Sequence, residues 1–217
     1  MSTRIGLVSD IHGDIDALEL AWSHLKAMGV SQVVCAGDLV GYGPFPDRVV
    51  AFLMEHEVPS VRGNHDRWAL QRGHGVADDF GGGTPNLETL EFLHDLPSDL
   101  TLEVEGRVVV VVHGSPRSDM EFVSRPAYTP ARLRADLLTL RCQVLVVGHT
   151  HTPMWYRDAS GLVLNPGSVL SVTGRATTSR TFAVLDVAGL SATFHEVATG
   201  QAIDVAAWTD EEEAPTA

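Results

Sequence analysis

Carboxylates, an amide and imidazoles recur at short spacings along this chain: Asp10 with His12, Asp38, then Asn64 with His65 and Asp66, then His113, then His149 with His151. Each fragment alone admits a structural explanation. An Asp-x-His pair arises by chance, and a single histidine after a strand is commonly a hydrogen-bonded core residue. The set is harder to explain that way, because every fragment follows a short apolar run that reads as a buried strand. Five strand ends would then gather oxygen and imidazole groups on one edge, and burying such groups unpaired is costly. Two metal ions resolve that cost, since carboxylate, amide oxygen and neutral imidazole all suit transition metals. A carboxylate at the centre can bridge the pair and moderate the repulsion between the cations.

The elements that must position these groups can be read from the spacing of apolar residues. Arg4 to Ser9, Gln32 to Ala36 and Val58 to Arg62 are expected strands running into Asp10, Asp38 and the Gly63-Asn64-His65-Asp66 segment. Ile15, Leu18, Trp22 and Leu25 recur at helical spacing, with Gly29 at the stop, and Val49, Phe52 and Leu53 suggest a second helix. This strand–helix–strand rhythm predicts an α/β fold with a parallel sheet whose carboxyl edge binds ligands. Residues 73–85 are glycine-rich and read as a mobile loop, and a helix is expected near Asn86–Leu96. Strands over Leu100 to Glu105 and Arg107 to Val112 meet at Gly106, the second running into His113. Thr129-Pro130 opens a helix to about Leu140, and Val144 to Val147 runs into Gly148-His149-Thr150-His151. The later strands, 162–164, 181–187 and 191–197, lack intervening helices and read as antiparallel.

Length and composition narrow the class. The 217 residues fit one domain, expected over 1–208, with 209–217 an acidic tail. Fifteen basic against 28 acidic residues give a net charge of −13, which disfavours a duplex nucleic-acid binder relying on a basic groove. Bound metal ions would supply the positive charge that phosphate chemistry needs. The two cysteines, Cys35 and Cys142, form no disulfide framework and sit on expected buried strands as small hydrophobes. The opening residues do not read as a signal peptide and no apolar run reaches membrane-spanning length, so a cytoplasmic protein without membrane contact is expected.

Asp10-Ile11-His12, Gly37-Asp38, Gly63-Asn64-His65-Asp66, Val112-His113-Gly114 and Gly148-His149-Thr150-His151 resemble the five motifs of the calcineurin-like metallophosphoesterases, in the same order, over residues 5 to about 187. Gly37 to Pro44, His113-Gly114-Ser115-Pro116 and Asn165-Pro166-Gly167-Ser168 resemble the small bacterial and archaeal branch, whose members resemble phosphodiesterases. The resemblance implies a four-layer α/β/β/α sandwich with a dinuclear site on its edge. It further implies that Asp10, His12 and His151 hold one metal, that Asp38 bridges, and that Asn64, His113 and His149 hold the second. Manganese is the expected ion, with iron, nickel or zinc as alternatives. His65 matches the catalytic histidine, protonating the leaving oxygen, and Asp66 the residue that orients its ring. The implied reaction is in-line attack on phosphorus by a hydroxide bridging the metals. The expected substrate is a small phosphodiester, the alternatives being a small phosphomonoester or, as in the retromer subunit that shares the fold, a non-catalytic scaffold. A protein phosphatase is disfavoured, since those members carry Gly-Asp-x-Val-Asp-Arg-Gly where this chain has Gly37-Asp38-Leu39-Val40-Gly41-Tyr42-Gly43.

Tyr42 and Arg117 are the candidate substrate contacts, the first walling a pocket and the second pairing with a phosphate oxygen; a glycine-built turn and a solvated loop explain them equally well. Asn165 to Ser168 is expected as a turn at the rim of the site. Relatives commonly follow that turn with a Pro-Arg pair, absent here, so Arg175 and Arg180 are the arginines available to replace it. His24, His56, His74, His94 and His195 lack a motif and are expected to be structural, His74 alone lying in a loop that could close over the site. Edge strands in the C-terminal sheet suggest a homodimer.

Overall fold

Valine and leucine runs that alternate between two apolar layers organise this molecule. The computed structural model describes residues 3–76, 78–170 and 180–209. In chain order the elements are β1 (Arg4–Val8), α1 (Ile15–Ala27), β2 (Gln32–Cys35), α2 (Pro46–Glu55), α3 (Asn64–Arg72), α4 (Leu87–Asp95), β3 (Asp99–Val104) and β4 (Arg107–Val112). They continue with α5 (Pro130–Leu140), β5 (Val144–Val146), β6 (Met154–Asp158), β7 (Gly161–Asn165), β8 (Thr181–Asp186), β9 (Ser191–Glu196), β10 (Ala202–Ile203) and β11 (Ala207–Trp208). One sheet has the order β10-β9-β8-β1-β2 and the other β11-β6-β7-β5-β4-β3.

Four layers follow from which face each side chain buries. In β4, Val109 and Val111 pack between the sheets while Val110 and Val112 face α5. The unbroken valine run is therefore the signature of a strand covered on both sides. Residues Ile5, Leu7, Ala183 and Leu185 meet Val144, Val146, Leu162 and Leu164 in the inter-sheet core. On the outer face of the first sheet, Val33, Cys35, Phe182 and Val184 pack against Ile15, Leu18 and Leu25 of α1 and Val49 and Leu53 of α2. The order is α/β/β/α, as expected.

Local signals account for the element ends. Asp14 caps α1 by accepting from Ala17 N, and Thr129 caps α5 by accepting from Arg132 N, with Pro130 at the first helical position. The strand expected over 58–62 is reduced to a single bridge between Cys35 and Ser60. Pro59 offers a carbonyl to Cys35 N but has no N–H to continue the ladder, and Arg62 N turns instead to Pro97 O. Strand β7 is antiparallel to β6 but parallel to β5, so the all-antiparallel reading of the later strands holds only for part of them. Helix α3 and strands β6, β10 and β11 were not legible in the sequence. The two short C-terminal strands lie along the outer edges of β9 and β6, covering edges that would otherwise be open to pairing. Arg175 and the tail from residue 210 lie outside the described residues. Among the described residues, no helix is long and apolar enough to cross a membrane.

Candidate dinuclear metal site

The ends of β1, β2, β4 and β5 and the start of α3 converge. The loop after β1 is zipped to the loop after β2 by Asp10 N to Gly37 O (2.9 Å), His12 N to Asp38 O (3.0 Å) and Gly13 N to Leu39 O (2.8 Å). Gly148 N donates to His113 O at 2.6 Å and so fastens the loop after β5 to the end of β4. The backbone turns sharply at these points. Asp10, His12, Asp38, His149 and His151 all have φ between 51° and 67°, a left-handed conformation that costs L-residues about 1–2 kcal/mol each. Such strain concentrated on the chemistry-bearing residues is the mark of a site whose side chains must point one way.

Hydrogen bonds then decide which atom of each side chain is left over. His12 Nδ1 donates to Val40 O (3.0 Å) and His113 Nδ1 to Ala36 O (2.8 Å), so in both rings Nε2 faces the cluster. Asp10 Oδ2 accepts from Ser9 Oγ (2.7 Å) and His149 N (3.1 Å). Its Oδ1 is buried without a hydrogen bond, 3.3 Å from His151 Nε2. Asp38 Oδ1 accepts from His65 N at 2.8 Å, while Oδ2 lies 3.1 Å from His113 Nε2 and 3.7 Å from His12 Nε2. Asn64 Oδ1 stands 3.1 Å from His113 Nε2, and His149 Nε2 is buried with no partner. The ring nitrogens His12 Nε2 and His151 Nε2 approach to 3.0 Å, which two lone pairs tolerate only around a proton or a cation.

These atoms fall into groups with metal-holding geometry: Asp10, His12 and His151; His12, Asp38 and His65; and Asp38, His113 and His149. The orphaned Asp10 Oδ1 and His149 Nε2, buried at 0% and 9% residue exposure, fit the donor set of two transition-metal ions. His12 and Asp38 each belong to two of the groups. The charge balance without metal agrees. Burial lowers His12 to about 4, and burial also lowers His149. Burial opposes the charged form of His113, yet the adjacent Asp38 carboxylate raises it to about 10. His151 is raised in the same way by Asp10 against its own burial.

Asp66 departs from the role expected for it. Its Oδ1 accepts from Leu39 N (2.9 Å) and Val40 N (3.1 Å), and its Oδ2 from Asp38 N (3.0 Å) and Gly63 N (2.9 Å). Both oxygens are spent on backbone amides, whereas His65 Nδ1 is buried without a partner, so Asp66 does not orient the His65 ring. Burial and the nearby Asp38 charge push its carboxyl up to about 7, the amide donors pulling the other way. The residue fixes the Asp38 loop to the start of α3.

The candidate substrate contacts divide. Tyr42 packs edge-on to His12 and tilted against His65, both with ring centroids 4.7 Å apart. Arg117 is a correction: its guanidinium forms a pair with Asp136 (2.6 and 3.2 Å) and also contacts Glu121 and Tyr128, so a phosphate oxygen would have to displace carboxylates. Arg180 pairs with Asp14 at 3.5 Å. Asn165 Nδ2 donates to Gly148 O (2.7 Å) and Thr150 Oγ1 (3.0 Å), and Ser168 Oγ to Asp10 O (2.9 Å), so the 165–168 turn braces two ligand loops. Sequence reasoning missed Phe122, stacked on His149 at 4.3 Å, and Trp68 and Phe80 beside His65. Trp68 was findable once a helix is drawn from Asn64, being three residues beyond His65; the two phenylalanines carried no local signal.

A four-layer sandwich with this cluster on its edge defines the class. The chain belongs to the calcineurin-like phosphoesterase superfamily, whose domain model matches residues 3–189. Among curated proteins it is 29% identical over 181 residues to the uncharacterized protein MJ0912 of Methanocaldococcus jannaschii, covering 78% of this chain and 71% of that one. It is 28% identical over 176 residues to phosphodiesterase YfcE of Escherichia coli K12, covering 76% and 79%. Among solved structures, a metallophosphoesterase from Sphaerobacter thermophilus matches with a TM-score of 0.72 and 26% identity over 90% of this chain and 88% of the other. These relatives place the chain in the small prokaryotic branch of the superfamily. Membership implies divalent metal ions.

Proposed function

We propose that this protein is a dinuclear metal-dependent phosphodiesterase acting on a small phosphodiester, with manganese as the first-choice ion. The observation that carries the reading is convergence: the ligand atoms of Asp10, His12, Asp38, His113, His149 and His151 fall into overlapping groups, and Asp10 Oδ1 and His149 Nε2 are buried there without a partner. Asp10, His12 and His151 would hold one ion, Asn64, His113 and His149 the other, and Asp38 both. Two such ions, when bound, supply Lewis acidity at the phosphoryl oxygens and an activated water for in-line displacement. The chain's own part is to fix their positions, exclude other donors and serve the leaving group. His65 is the residue for that last task. Its backbone N–H holds Asp38 Oδ1, its ring contacts His12, and burial lowers its pKa against the pull of Asp38. It would serve the departing oxygen as a hydrogen-bond or proton donor. The similarity to a phosphodiesterase favours diester over monoester.

The test is hydrolysis of bis-p-nitrophenyl phosphate by metal-stripped protein reconstituted with manganese, nickel, iron or zinc in turn. Metal-dependent turnover exceeding that on p-nitrophenyl phosphate is expected. In the same assay His65→Ala retains both metals but loses ~10²–10⁴ in rate on alkyl esters, and less on nitrophenyl esters. Equal losses on both would remove the leaving-group role.

A further inference from the structure

The candidate ligands are not all oriented in the same way. The rings of His12 and His113 are fixed by hydrogen bonds to Val40 O and Ala36 O, carbonyls that follow β2. His149 takes its support from residues 114–122, the chain that leaves His113. Phe122 stacks on the His149 ring with centroids 4.3 Å apart and 27° between the planes. The Met120 main chain hydrogen-bonds the same ring, and His113 approaches it edge-on at 5.2 Å. His149 Nε2 is left buried and without a partner. Phe122 and Met120 are 49% and 41% exposed, so membership of the core does not explain why they lie here.

The segment is tied down along its length. A Cβ on Gly114 would overlap Ser118 O, and Ser115 and Ser118 exchange backbone hydrogen bonds of 2.8 and 3.2 Å. Ser115 Oγ donates to the Glu121 carboxylate, and Arg117 pairs with Asp136 of α5 at 2.6 Å. Asp119 accepts two bonds from Arg67, at 2.6 and 3.1 Å. Arg67 lies three residues beyond Asn64 on α3, and so on the same face of that helix. Asn64, His113 and His149 are the residues assigned above to one ion. The segment starts at His113, is clasped to the helix that carries Asn64, and covers the ring of His149. On the other ion, Asp10 and His12 are fixed instead by backbone bonds to Gly37 and Asp38.

Building on the dinuclear reading, we propose that residues 114–122 form a positioning strap for the ion held by Asn64, His113 and His149, with Phe122 as its positioning residue. The Phe122 ring and the Met120 main chain hold His149 with Nε2 free for the metal cluster, and the Arg67–Asp119 pair holds the strap. Contacts of this outer kind set the orientation of a ligand and hence the affinity for its metal.

Two measurements separate this inference from the reading it rests on. The first is zinc titration of the metal-free protein against a chromophoric chelator, with elemental analysis of the loaded form. Two ions are expected in the parent protein. Phe122→Ala and Asp119→Ala are each expected to weaken one of them by ~10–100-fold and to leave the other within about twofold. Phe122→Tyr, which keeps the stacked ring, is expected to restore the parent affinity. Added to His149→Gln, Phe122→Ala is expected to cause no further loss, because it acts through that ring. Unchanged affinity for two ions in Phe122→Ala, or equal weakening of both, overturns the strap and leaves the dinuclear reading standing. The second measurement needs no metal: histidine-selective nitrogen NMR, with the His149 signals assigned through His149→Gln. One fixed tautomer is expected in the parent protein, and averaging between tautomers in Phe122→Ala. An unchanged tautomer in that variant overturns the strap. Fewer than two ions in the parent protein refutes the dinuclear reading, and the NMR result then decides the strap alone.

Discussion

At the residue scale, protons and any bound metal ion would compete for the same atoms. His113 sits at 3.1 Å from Asp38 Oδ2 and, despite burial, is raised to about 10 by that carboxylate. A raised pKa means that its charged form stabilises the metal-free fold fully below about 6.5, the ordinary histidine value, and that this contribution is lost as pH climbs toward 10. A metal ion held by His113 would have to displace that proton. Affinity is therefore expected to rise about tenfold per pH unit between pH 7 and 9, with about one proton released per ion bound at this position. Calorimetric titration in buffers of different ionisation enthalpy measures both quantities; a pH-independent affinity would show that His113 is not a ligand. The ring was findable in the sequence as the polar end of a valine run. Its tautomer was not, because that depends on Ala36 O, a backbone atom 77 residues away.

At the element scale, α3 does more than carry His65. Asp66, in its first turn, gathers four backbone amides from two loops, and Gly37 and Gly63 let those loops approach. A Cβ on Gly37 would stand 2.8 Å from His113 Nδ1, and one on Gly63 would overlap Asp38. Replacing Asp66 by Asn swaps one acceptor oxygen for a donor facing amide donors. Asp66→Asn should lower stability by about 1.5–3 kcal/mol and weaken metal binding. Thermal melts and metal analysis of the variant check this. Full occupancy with only a leaving-group-dependent rate loss would restore the ring-orienting role. Sequence reading placed Asp66 correctly beside His65 but paired the two by proximity in the chain. The fold instead pairs Asp66 with residues 38–40, because side chains one position apart on a helix diverge.

At the scale of the whole molecule, the core between the sheets backs the strands that end at the candidate site. Leu164 is fully buried there, on a strand that joins β5 to β6. Leu164→Ala is expected to cost about 2–5 kcal/mol. Added metal should still raise its melting temperature, since ligand binding to the native state stabilises by mass action. A variant that melts normally would show that this position adds little to the core. The acidic surface, at −13, fits a protein that draws its local positive charge from bound ions.

What the chain determined by itself was everything that repeats with local periodicity: the buried strands, the capped helices α1 and α5, and the polar residues that end the strands. Burial on two faces writes itself as an unbroken apolar run, and caps act within four residues, so both survive in one dimension. The tertiary structure alone decided which atom of each ligand stays free, that Asp66 binds the neighbouring loop, that Arg117 is spent on Asp136, and that Phe80 reaches His65. Each of those contacts joins residues far apart in sequence through a hydrogen bond or a ring face. Direction in space sets them, and spacing along the chain carries no record of it.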